Sequence, residues 1–218
     1  MPGRPPTDVD PPLLVACALG IERFALRGGS RSGAGPQLVT LRTGMGPQAA
    51  ERAVTKALRD GSATALSPVV ASGFCAGLAP GMRPGDVVVA GTTRDHRPDA
   101  PEVLCRDNGP LLRALRQRGL TVHTGLLSGS DHVVRGAERA ELHAAGAVAV
   151  DMESAATLRA AVRSGIRPVA AVRVVVDAPE HELMRIGTVR GGISAFRVLR
   201  SVIPVLFEWH RSLLLPRR

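Results

Sequence analysis

The chain has 218 residues, 44% of them hydrophobic, which is enough for one domain with a sizeable core. Its net charge of +9 comes from basic residues that, apart from Lys56, are all Arg. With aromatics at 2%, no Tyr and a single Trp, the composition excludes an aromatic stacking platform for single-stranded nucleic acid. The three cysteines show no paired spacing and fit a reducing compartment, and no apolar run is long enough to span a membrane.

In chain order, residues 1–12 are Pro-rich and expected to be disordered, with a single domain over 13–218. Short apolar runs at 13–19 and 37–43 read as buried strands. A helix is expected from Pro47 to a stop at Gly61, with Ala50, Val54 and Leu58 on one face. Strands follow at 68–74 and 85–91, then a polar loop over 92–108. Residues 111–119 read as helix, 121–129 as strand and 136–146 as helix. A strand at 147–150 leads to a helix ending before Gly165, and 168–176 is a strand. The segment 191–214 is a long amphipathic helix with Ile193, Phe196, Leu199, Ile203 and Leu206 on one side, and Pro204 is expected to kink it. Strands alternating with helices predict an α/β domain with a largely parallel sheet.

In such sheets sites form at the carboxyl ends of strands. That rule selects Glu22, Gly44–Gly46, Gly73–Gly77, Ser128–His132, Asp151–Ser154 and Asp177. Several carboxylates in one cleft suit glycosidic chemistry: one assists the leaving group, another orients the nucleophile, another binds sugar hydroxyls. Each also has a plainer reading, as a helix-end acid or a turn residue. Arg173 lies inside an apolar strand, where an unpaired ion is costly, so it needs an acid or an anionic ligand. The glycines around 44–46 and 72–86 fit close backbone approach or tight turns. His96, His123, His132, His143, His181 and His210 lack metal-ligand spacing.

Taken together, TGMGPQAAERAV, SGFCAGLAPGMRPGDVVV, SGSDHVV, AVDMESAA and VAAVRVVVDAP, in that order, resemble the nucleoside phosphorylase and nucleosidase superfamily over residues 13–210. Within it the sequence is most similar to hopanoid-associated phosphorylases of bacteria. The resemblance implies a three-layer α/β/α fold with a central mixed, largely parallel sheet. It implies cleavage of the N-glycosidic bond of a purine nucleoside, releasing adenine from adenosylhopane in hopanoid lipid biosynthesis. The alternatives are a methylthioadenosine/adenosylhomocysteine-type nucleosidase, a general purine nucleoside phosphorylase, or a non-catalytic basic protein binding nucleic acid or membrane. By the same resemblance Glu22 serves the nucleophile and Arg173 lies on the nucleophile side. Glu153 holds the ribose hydroxyls, with Met152 against the sugar. Asp177 is the acid at purine N7, and Val133 and Val134 flank the base. Ser72, Gly73, Gly44 and Gly46 are expected around the substrate, with Phe74 and Val133 replacing a small polar residue and an aromatic. The even spacing of Arg173 and Asp177 predicts that their side chains share one face of the strand. No metal or cofactor is implied, with phosphate a candidate co-substrate. The expected setting is a cytoplasmic homodimer or higher homo-oligomer without a specific nucleic-acid partner, and with peripheral membrane contact through the basic C-terminal segment.

Overall fold

The computed structural model describes residues 10–28, 37–61, 66–97, 99–178 and 188–215, with the backbone alone over 188–193. Residues 1–9 of the expected disordered segment, residues 216–218 of the basic tail and the Ile193 side chain lie outside the described part.

The eight strands are β1 (Leu13–Cys17), β2 (Leu38–Arg42), β3 (Val69–Gly77), β4 (Val87–Arg94), β5 (Val103–Leu104), β6 (Val122–Gly129), β7 (Ala147–Asp151) and β8 (Val169–Asp177). The helices are α1 (Gly20–Gly28), α2 (Pro47–Arg59), α3 (Gly109–Gln117), α4 (Ala137–Ala144), α5 (Ser154–Arg163) and α6 (Thr188–Leu214). Parallel pairs join β1 to β2 and β3, β3 to β8, β4 to β6, and β6 to β7. Antiparallel pairs join β3 to β7, β4 to β5, and β4 to β8. The sheet is therefore mixed, and β3, β8, β4, β6 and β7 pair in sequence back to β3 as a closed ring. Ring closure rests on Ala76 with Val150 and Gly77 with Ala149.

Strands covered on both faces are apolar runs buried at nearly every position, as β1, β3 and β8 are, with Arg173 and Asp177 the charged exceptions in β8. Alternate residues serve opposite faces. Val15, Val70, Val87, Val172 and Val174 pack with Leu199, Ile203, Leu206 and Trp209 of α6 and Leu115 of α3. Ala16, Ala71, Val88, Ala171 and Val175 pack with Leu158 and Ala161 of α5 and Val54 of α2. Helices on both sides give the expected three-layer α/β/α architecture.

Several local expectations change. The apolar run at 13–19 stops at Cys17, because Ala18 and Leu19 turn the chain into α1, a helix absent from the sequence reading. The expected loop 92–108 holds the end of β4 and all of β5, two short pieces whose antiparallel pairing no hydrophobic alternation announces. Helix α6 continues through Pro204 as one element of 27 residues. Among the described residues no helix is long and apolar enough to cross a membrane.

Candidate active site

An open cleft of about 190 Å³ lies where β1, β3, β7 and β8 end, closed on one side by the segment around His132–Val134. Of the residues selected from sequence, Glu22, Phe74, Val133, Val134, Met152, Glu153 and Asp177 line it. Arg173, Ser72, Gly73, Gly44 and Gly46 are not in its wall; Arg173, Gly73 and Gly46 each contact a residue that is.

Glu22 is 2% exposed, in the first turn of α1. Its Oε2 accepts from the backbone N–H groups of Ala18 and Leu19, at 2.9 and 2.8 Å. Its Oε1 accepts from Phe74 N–H at 2.7 Å. These bonds satisfy orphan donors at the helix start and fix the carboxylate across the gap between β1 and β3. Gly73 makes the approach possible. Its φ is +146°, and a Cβ there would stand 2.4 Å from Glu22 Oε1 and 2.6 Å from Arg173 Nη1. The Glu22 carboxylate and the Arg173 guanidinium thus meet at Gly73.

Arg173 is fully buried in β8. Its Nε donates to Ser154 Oγ at 2.8 Å and lies 2.7 Å from Asp151 Oδ2 in an ion pair. Asp151 Oδ1 in turn accepts from the N–H groups of Glu153 and Ser154, and its Oδ2 from Ser154 Oγ. The charge inside the strand is therefore matched by an acid at the end of β7 that also tethers the start of α5. Burial alone would lower the Arg173 pKa, but the carboxylates of Asp151, Glu153 and Glu22 raise it. Arg173 Nη1 and Ser72 Oγ remain buried without a hydrogen-bond partner.

Glu153 Oε1 accepts from Gly46 N–H at 2.8 Å, at the start of α2. Gly46 has φ +89°, a left-handed conformation suited to glycine, and so presents its N–H to the acid. Gly44, also left-handed at φ +82°, shapes the same turn without reaching the cleft wall. Burial pushes the Glu153 carboxyl up to about 7. Arg173 and the Gly46 N–H oppose that rise, while the negative charges of Asp151 and Glu22 add to it.

Asp177 does not share a face with Arg173 as its even spacing predicts. Cys75 pairs with Val175 but Ala76 pairs with Asp177, so Val176 sits in a bulge. Val176 still packs on the α6 side with Val172 and Val174, whereas Ala178 packs on the opposite side. The alternation breaks between them, and Asp177 turns to the cleft while Arg173 stays beneath it. Asp177 Oδ2 forms an ion pair with Nη2 of Arg139, which lines the cleft from α4. Arg139 is a site residue that the sequence reading missed, because in its helix it looks like one charge on a solvated face. One signal was available: a cation in the first turn of a helix opposes the helix dipole and needs another partner. Met45, Cys75, Ala76, His132 and Asp151, all inside the strand-end ranges selected from the sequence, also line the wall.

A family model described as "Phosphorylase superfamily" matches residues 27–203. No curated protein matches the sequence. Among solved structures, futalosine hydrolase of Helicobacter pylori superposes with a TM-score of 0.76 at 13% identity, covering 90% of this chain and 97% of that one. The S-adenosylhomocysteine nucleosidase of Streptococcus pyogenes gives 0.76 at 17% identity, covering 97% and 100%. The 5'-methylthioadenosine/S-adenosylhomocysteine nucleosidase of Neisseria meningitidis gives 0.73 at 21% identity, covering 92% and 99%.

Proposed function

The chain belongs to the phosphorylase superfamily, and from that membership we propose that it cleaves the N-glycosidic bond of a purine nucleoside. The observation that carries the reading is the meeting of Glu22, Glu153 and Asp177, from three distant segments, in one cleft. The superfamily makes the chain an enzyme of the nucleosidase or nucleoside phosphorylase type; the finer assignments are ours.

Glu22 is the group for the nucleophile. Held by three N–H donors, it keeps free lone pairs to take a proton from water, and Arg173 Nη1 beside it is a donor in need of an acceptor. Water fits between such a donor and acceptor. Phosphate fits less well: Glu22, Asp151 and Glu153 outnumber Arg173, and the Gly46 N–H that might cradle an anion is engaged by Glu153. Glu153 Oε2 is left to accept from the ribose hydroxyls, and Met152 and Phe74 supply apolar walls. Orienting the sugar this way contributes through positioning. As the C1′–N9 bond stretches, the ribose becomes oxocarbenium-like and charge collects on the base, which lies toward Asp177 and Val134.

The rim includes Met45 and Val133, both exposed and apolar, and this supports a nucleoside with an apolar 5′ extension. Our specific candidate is adenosylhopane, cleaved to free adenine by a cytoplasmic homo-oligomer that touches the membrane through residues 213–218. The test is incubation with adenosine and with a short-chain adenosylhopane analogue, with and without phosphate. Adenine with free sugar is the expected product pair. A sugar phosphate would make it a phosphorylase, and no base release from any purine nucleoside would overturn the reading.

A further inference from the structure

Large apolar side chains stand exposed around the mouth of the cleft. Ile21 and Phe24 of α1 are 56% and 71% exposed, and Met45 and Val133 are exposed on the cleft wall itself. Ile21 lies between Leu19 and Glu22, which both line the cleft. Phe24 stacks on Phe196 of α6, with ring centroids 6.2 Å apart. A chain with only four Phe thus leaves one of them mostly in water beside the candidate active site, which marks a surface for contact. The charges on this side have one sign. Arg23 is half-buried and Arg27 exposed on α1, exposed Arg42 pairs with Cys17 at the carboxyl end of β1, and exposed Arg197 adjoins Phe196. Among the described residues of α1, β2 and 194–207 the only acid is Glu22, which is buried and lines the cleft. A second copy of the chain would set like charges against like. A polyanionic strand would leave Ile21 and Phe24 in water. An anionic lipid surface meets both features, taking the apolar side chains below its headgroups and the arginines among them.

Helix α6 fixes which end of the molecule would face the lipid. Its Phe196 stands at the cleft end, against α1. Towards its other end, Glu208 pairs with Arg118, between the end of α3 and the amino end of β6. His210 lies beside Asp10 and Pro11, at the amino end of β1. Leu213 is therefore about 25 Å along the helix from Phe196, at the pole opposite the cleft, which opens at the carboxyl ends of the strands. A contact through residues 213–218 would turn the cleft away from the lipid. We propose that the face formed by Ile21, Phe24 and Phe196 docks the cleft mouth onto an anionic bilayer, so that a nucleoside with an apolar 5′ extension passes from the lipid into the cleft. The inference rests on the nucleoside-cleavage reading above and moves the membrane contact from the tail to the mouth.

The test is flotation of the full chain with vesicles of phosphatidylcholine alone or mixed with phosphatidylglycerol. Wild type should float with the mixed vesicles only, and salt should release it. Phe24→Ser should weaken binding at least about tenfold, the scale of one large apolar side chain returned to water. Arg27→Gln should weaken it about fivefold, the scale of one basic residue at an anionic surface. Deletion of residues 213–218 should leave it unchanged. None of the three changes should alter turnover of adenosine in solution, and thermal melting checks each fold. Binding that survives Phe24→Ser and is lost with residues 213–218 overturns the proposal. Retention on DNA without flotation also overturns it, as does self-association without flotation that Phe24→Ser abolishes. Base release tests the nucleosidase reading separately. Adenine freed from adenosine without vesicle binding strikes the docking surface alone. Vesicle binding without base release from any purine nucleoside strikes the cleavage reading and leaves the surface standing.

Discussion

Gly73 is the residue through which β3 lets Glu22 and Arg173 meet. Its conformation is one that L side chains rarely adopt, and a methyl group there would overlap both charged groups. Gly73→Ala should cost about 1–3 kcal/mol in stability from backbone strain. It should lower kcat/KM at least about 100-fold, since a shift of about 1 Å in a reacting group costs that much. Melting temperature and base-release kinetics check the two parts; wild-type activity in a folded Gly73→Ala protein would remove Glu22 from the nucleophile side. Glu153 makes a second prediction. In the unfolded chain its carboxyl titrates near 4.5, and in the folded protein near 7. Between those values the folded protein keeps a proton that the unfolded chain has lost. Stability therefore falls as pH rises through that window, by up to about 1.4 kcal/mol per pH unit. Glu153→Gln should flatten this fall in a series of melting curves from pH 5 to 8. The ionised form is the better acceptor for ribose hydroxyls, so kcat/KM for a ribonucleoside should drop below about pH 7. Glu153→Gln should abolish that acid limb.

At the level of elements, α6 shows what local sequence can and cannot convey. Its apolar stripe is readable at helical spacing, and Leu199, Ile203 and Leu206 are buried as that spacing predicts. Pro204, where a kink is expected, lies inside α6, which runs on through it to Leu214. Pro204 lies on the exposed side, where the lost hydrogen bond opens to solvent, while the neighbouring Ile203 and Val205 are clamped in the core. Pro204→Ala should then stabilise the protein by about 1–3 kcal/mol, given proline's cost in a helix interior. A lower melting temperature in that variant would mean that the proline shapes the packing of α6. Strands β1, β2, β3, β4, β6, β7 and β8 were legible because short apolar runs bounded by glycine or proline leave few alternatives. Helix α1 and strand β5 were not, since the first is short with Ile21 and Phe24 exposed, and the second is two residues long. The site was legible in its acids and glycines. Arg139 and the slip at Val176 were not, because an ion pair across 38 residues and a bulge depend on tertiary register rather than local pattern.

Over the whole molecule, the charge of +9 and the chemistry of the cleft are separable. Arg139, Arg159 and Arg173 are buried in ion pairs, out of reach of a polyanion. A neutral nucleoside feels little long-range field, and buried pairs are weakly screened. Turnover of adenosine should vary less than about twofold between 0.05 and 0.5 M salt, whereas any retention on DNA should fall steeply. Turnover that tracked the loss of DNA binding would tie the surface charge to the active site. The ring of five strands adds a kinetic consequence. Its seam consists of Ala76 with Val150, Gly77 with Ala149, and the Leu78 N–H to Val148 carbonyl bond at 2.9 Å. The neighbouring β3–β8 and β4–β6 ladders are several times longer. A short ladder joining segments some seventy residues apart in sequence carries a high loop-closure cost and is the natural place for the ring to open. Ala76 and Val150 also line the cleft. In hydrogen–deuterium exchange the seam amides should therefore be the first of the ring to exchange, and a bound base, bridging the two edges, should slow them more than those of β1.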